Sequence, residues 1–110
     1  MTLVEKQNQF AMMVAQLILK AQEMGYQVSL GEAWRTPQQA AANAAAGTGI
    51  AKSLHIERLA IDLNLFRAGK YLSRTEDHRP LGEWWESIGG AWGGRFNDGN
   101  HYSLAHGGRK

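Results

Sequence analysis

The stretch LAIDLNL at residues 59–65 places a carboxylate in the middle of a run that reads as a buried strand. Leu59, Ile61, Leu63 and Leu65 alternate onto one face, leaving Ala60, Asp62 and Asn64 on the other. An ionised carboxylate without a partner is costly to bury, so the fold must give Asp62 either water or a partner. Either the Asp62 face is solvated, the ordinary arrangement of an antiparallel sheet, or Asp62 faces a cation. Ala60 is small, which suggests room kept above that face.

The chain offers one domain, residues 1–110, with which to build around that strand. A chain of this length buries roughly two-thirds of its unfolded surface, enough for one core. Hydrophobic residues at 44% and charged residues at 20% describe an ordinary globular protein. There is no cysteine, so any metal must be held by nitrogen and oxygen ligands. The formal charge of +2 is spread along the chain apart from a terminal GGRK. That spread argues against a nucleic-acid surface and suits an approach to a polyanion such as a cell wall. QNQFAMMVAQLILK, residues 7–20, is too short and too rich in glutamine for a membrane span or secretory signal. The expectation is a monomer made in the cytoplasm without a signal peptide, with no stable membrane insertion, that reaches any wall substrate after release.

Periodicity gives the remaining elements. Residues 3–24 carry Leu3, Phe10, Met13, Val14, Leu17, Ile18 and Ala21 at helical spacing, with Gly25 as a stop. YQVSLGEAWR reads as a strand with Tyr26, Val28 and Leu30 on one face. TPQQAAANAAAG opens a helix with Thr36 as N-cap, Pro37 at the first position and Gln39 completing a capping box. Arg35 is thereby set at a strand-to-helix corner, able to project into a cleft. GTGIAK, residues 47–52, is a loop without the spacing of a phosphate site. Residues 78–89 predict a third helix with Asp77 as cap, followed by a glycine-rich connection and a short strand in HYSLAH.

His55 lies seven residues before Asp62, and the two converge only if the chain turns between them, around HIER. Asp98 and His101 are three apart in NDGNHYSL, with glycine between them. Two histidines and an aspartate make a three-ligand site with an open fourth position, the arrangement of catalytic zinc. A further carboxylate three residues before the last ligand is suitably placed to act on water there. Spacing alone leaves this suggestive, since a carboxylate on a wet sheet face remains the simpler explanation.

SLHIERLAID resembles the Ser-x-His-x-x-Gly-x-Ala-x-Asp signature of the zinc peptidases that include D-alanyl-D-alanine carboxypeptidases and phage L-alanyl-D-glutamate endolysins. DGNH resembles their second signature. AWRTPQQ is similar to their Tyr-Arg-Thr/Ser-Pro segment, and WGGRF to the glycine-rich segment before the last motif. These matches follow the family's order across residues 34–104. The resemblance implies His55, Asp62 and His101 as zinc ligands, Asp98 as general base, Arg35 as catalytic or substrate-binding cation, and Ser53 as a substrate-side hydrogen-bonding neighbour. It implies an α+β fold shared with the hedgehog signalling domain: a small antiparallel sheet, helices packed on one side, a zinc cleft on the open face. It further implies cleavage of the peptidoglycan stem peptide, with the L-alanyl-D-glutamate bond favoured over D-alanyl-D-alanine. A catalytically silent wall-binding module of the same fold is the alternative from another class. Arg58 stands where the signature has glycine, so the turn after His55 is expected to differ in shape.

Other residues read more plainly. His78 is expected to be exposed or a local cap, and His106 a surface histidine before a flexible tail. Trp84, Trp85 and Trp92 read as core before they read as the lining of a sugar-binding groove, a lesser reading that suits Trp92, among glycines, best. Glu83 and Glu86 read as the solvated face of the third helix.

Overall fold

The computed structural model describes residues 1–49 and 52–110, so part of the loop expected at residues 47–52 lies outside the described residues. Among the described residues the fold is a small α+β arrangement of three α-helices and a five-stranded antiparallel sheet. Helix α1 (Leu3–Glu23) begins at a Thr2–Glu5 capping box and buries Phe10, Met13, Leu17 and Ala21 along one stripe. Gly25, at a φ of 90°, releases the chain into strand β1 (Gln27–Leu30). Helix α2 (Pro37–Ala45) starts at Thr36, whose hydroxyl accepts from the Gln39 N–H. The Gln39 side chain does not return to close a capping box; it donates to Asn43 one turn on.

Strand β2 (Ala60–Arg67) is the spine of the sheet. It pairs with β1, with β3 (Lys70–Leu72) and with β5 (His101–Ser103), and β4 (Ala91–Trp92) adds an edge beside β5. Ala68 and Gly69 both take positive φ in the β2–β3 turn, the backbone of a two-residue hairpin. The strand expected from Tyr26 onward is shorter than its apolar pattern: it spans Gln27–Leu30, and Leu30 is 64% exposed.

The third helix begins later than expected. Residues Thr75–His78 form a 3-10 turn, and α3 (Arg79–Ser87) follows. Asp77 caps that turn, accepting from the Arg74 N–H, and not the helix. Helix α3 buries Leu81, Gly82 and Trp85. Trp85 meets Phe10 and Tyr102 edge-on, and its Nε1–H donates to the Ser103 carbonyl at 3.0 Å. One indole thus fastens α1, α3 and β5 together.

Leu59, Leu63 and Leu65 are fully buried and Ile61 nearly so, as the alternation requires. Trp92 is also core, 1% exposed, with its Nε1–H donating to the Gly99 carbonyl. This excludes it from a sugar groove. His78 is buried rather than exposed, its Nδ1 2.8 Å from the Tyr102 hydroxyl. The C-terminal segment is not a loose tail. His106 and Arg109 form a bridge, and Arg109 reaches the Lys52 carbonyl and the Glu57 carboxylate.

Candidate metal centre

Register brings the site together. In the β2–β5 ladder Asp62 stands directly opposite His101, while Ile61 stands opposite Tyr102. Because side chains alternate, the Ile61–Tyr102 pair enters the core and the Asp62–His101 pair faces away from it. His55 arrives from the turn before β2. Leu59 N–H donates to the Leu54 carbonyl and Arg58 N–H to that of His55, folding HIER back on itself. Arg58 carries this turn at a φ of 56°, the left-handed conformation that glycine would take freely. Its guanidinium lies 4.5 Å over the Trp34 ring, a stacking contact that offsets the strain. The turn therefore keeps a glycine-like shape, contrary to the expected departure.

His55 Nε2 lies 3.3 Å from Asp62 Oδ1, and His101 Nδ1 lies 3.8 Å from the same oxygen. One ligand atom from each of the three residues falls within 4.8 Å of the others. Tetrahedral ligands ~2.1 Å from zinc stand about 3.4 Å apart, so the trio needs little adjustment to hold an ion. Both imidazoles are nearly inaccessible, and His55 Nδ1 and His101 Nε2 are buried without hydrogen-bond partners among the described residues. Burial works to raise the Asp62 carboxyl, but hydrogen bonds and charge from His101 and His55 outweigh it and hold it at about 2. A carboxylate and two imidazoles, all nitrogen and oxygen donors, fit a divalent transition metal. Ala60 is fully buried, so the space above this face is confined to the Asp62 end of the strand.

Asp98 Oδ2 stands 3.9 Å from His101 Nδ1, with the side chain half exposed. Burial raises its carboxyl above the ordinary range; the neighbouring His101 charge opposes that shift and the Asp62 charge adds to it. The 98–101 turn approaches Gly93 so closely that a Cβ there would lie 2.2 Å from the Asp98 carbonyl and 2.7 Å from His101 Cβ. This explains why glycine stands at position 93, ahead of His101. Arg35 borders the same cleft, its main chain donating to the His55 carbonyl and its Nε–H to Glu32. Ser53 is buried in the cleft wall, its Oγ accepting from the His55 N–H. The cleft encloses about 340 Å³ and also includes Thr48, Gly49, Phe96 and Lys110.

Sequence reasoning missed Glu32, Phe96 and Lys110. Glu32 had a readable signal, an acid three residues before Arg35 in GEAWR. Phe96 and Lys110 had none, because only the folded chain brings residue 110 near residue 35. Among the described residues no helix is long and apolar enough to cross a membrane.

A search of curated protein sequences finds no match. The family model described as D-alanyl-D-alanine carboxypeptidase matches residues 46–104, more than half of the chain and the part that carries His55, Asp62, Asp98 and His101. The chain therefore belongs to the D-alanyl-D-alanine carboxypeptidase family, a group of zinc peptidases that act on peptidoglycan.

Proposed function

We propose that the protein is a zinc-dependent endopeptidase of the peptidoglycan stem, cutting the L-alanyl-D-glutamate bond, with His55, Asp62 and His101 as ligands. The observation that carries the endopeptidase reading is the position of Asp98 between two cavities. On one side it borders the cleft of Arg35, His55 and His101; on the other it borders a polar hollow formed by Ser73, Arg74, Thr75 and Asn100. A peptide cut internally continues on both sides of the scissile bond and needs space on both.

When bound, zinc supplies Lewis-acid polarisation of a carbonyl and acidifies coordinated water toward a pKa of ~7. Asp98 accepts the proton of the attacking water and returns it to the leaving amine, a role suited to a carboxyl raised by burial. Arg35 supplies positive charge where the carbonyl oxygen becomes an oxyanion, a contribution of roughly 3–4 kcal/mol for a donor of this kind. Ser53 holds the main chain of His55 and so fixes one ligand's approach.

A second reading, D-alanyl-D-alanine carboxypeptidase, is favoured by Arg35 and Lys110, two cations in one cleft that can hold a terminal carboxylate. Digestion of purified muropeptides by the zinc-loaded protein separates the two. New amino-terminal D-glutamyl ends without free D-alanine support the endopeptidase. Free D-alanine assigns the carboxypeptidase instead. Tight zinc binding with no cleavage of either bond leaves a wall-binding module and removes the enzymatic reading. Action on the wall after release from the cytoplasm, as a phage or prophage lysis product acts, belongs to the same proposal. Cells expressing the protein internally should lyse only once their membrane is permeabilised; lysis without permeabilisation would count against it.

A further inference from the structure

The carboxylate that sequence reasoning passed over occupies a particular place. Glu32 Oε1 accepts from Arg35 Nε–H at 2.8 Å and lies 3.7 Å from His55 Nδ1. That nitrogen is one of the two buried imidazole atoms without a hydrogen-bond partner among the described residues. The opposite ring nitrogen, Nε2, is the one turned toward Asp62. A histidine that offers one nitrogen to a metal carries its proton on the other and needs an acceptor there, most often a carboxylate or carbonyl.

The main chain holds Glu32 in that position. Beyond the end of β1, Gly31 N–H donates to the Asp62 carbonyl at 2.8 Å, and Asp62 N–H donates to the Glu32 carbonyl at 2.9 Å. Three residues on, Arg35 N–H donates to the His55 carbonyl. Residues 31–35 are thus stitched to two of the three ligands, and the Glu32 side chain emerges between them.

We infer that Glu32 is a positioning residue of the metal centre: it accepts the His55 Nδ1–H, fixes the ring with Nε2 toward the ion, and with the same oxygen holds Arg35 at the cleft wall. This rests on His55 being a zinc ligand. Pairing with Arg35 alone would also explain an acid at position 32, but it would leave His55 Nδ1 buried and unsatisfied once the ring is committed to a metal.

Zinc affinity by chelator competition tests the inference on wild type, Glu32→Ala, Glu32→Gln, Arg35→Ala and His55→Ala, with circular dichroism as a check on folding. Glu32→Ala should weaken zinc binding by ~10- to 100-fold, the range for losing such a partner. Glu32→Gln should recover most of it, because the amide oxygen still accepts from Nδ1–H, and Arg35→Ala should leave zinc affinity near wild type. Wild-type affinity in Glu32→Ala, with zinc lost in His55→Ala, overturns the role of Glu32 and leaves the metal centre standing. An equal loss in Arg35→Ala also overturns it, since Glu32 would then act through Arg35. No zinc on the wild-type protein overturns both readings together. Should Glu32→Ala fail to fold, the nearly isosteric Glu32→Gln decides by nuclear magnetic resonance of the zinc-loaded protein. The His55 Nδ1–H resonance should move upfield from its wild-type position, and an unmoved resonance rejects the contact.

Discussion

Asp98 and His78 show how one fold sets two titratable groups to different tasks. Asp98→Asn keeps the shape of the side chain and loses its basicity. It should retain zinc by elemental analysis while turnover falls ~10²- to 10⁴-fold, the usual range for a positioned acid–base group. Full activity in that variant would remove Asp98 as the base. Because burial raises the Asp98 carboxyl, wild-type kcat/KM should fall on the acid side as pH drops through that raised value. His78 behaves differently: burial is the main cause that lowers its imidazole from 6.5 to about 4. The fold favours its neutral form, so this stabilisation is complete above pH 6.5 and is lost as pH falls toward 4. The full difference is on the order of 3 kcal/mol. Urea midpoints at pH 7 and pH 5 should therefore differ more in wild type than in His78→Gln; equal pH dependence in the two would contradict the buried assignment.

At the scale of elements, the joint between α3 and β4 is closely packed. A Cβ on Gly82 would sit 2.2 Å from the Trp92 ring, in a helix that must lie flat on that indole. Gly82→Ala should cost ~1–3 kcal/mol through overpacking, despite the better helix propensity of alanine. A chemical denaturation curve that shifts to higher midpoint would contradict this packing. The same joint marks where sequence patterns stopped being informative. The β2 alternation and the Thr36–Pro37 start carry local signals, and both elements form where those signals stand. Trp92 stands among glycines, yet its ring is core and fills the space a Cβ would need at Gly94 and at Gly82. His78 looked polar and local, and its burial depends on Tyr102, 24 residues away. His55, Asp62 and His101 were legible as residues in a pattern, whereas the place of Glu32 beside Asp62, for all its spacing from Arg35, depends on main-chain bonds that only the fold makes.

Across the whole molecule, the proposed metal site draws on segments that are far apart in the chain: residues 31–35, the turn at His55, β2, and the 98–101 turn. Binding that requires this assembly stabilises the assembly. Zinc at ~100 times its Kd is worth about 2.7 kcal/mol, which for a chain of this size raises Tm on the order of 10 °C. Chelation should lower Tm by that amount in wild type and leave the Tm of His55→Ala unchanged; a Tm indifferent to chelator in wild type would argue against a coupled site. The pairing of Asp62 with His101 across the β2–β5 ladder carries one more consequence, for how such a chain tolerates changes of length. One residue inserted before β2 can be absorbed in the turn. One residue inserted between Ala60 and Ile61 would carry Ile61 to the position facing His101 and turn the aspartate inward. A lineage of such proteins can therefore vary its loops freely while the spacing inside this one strand stays fixed, as in a ruler whose marks set the chemistry.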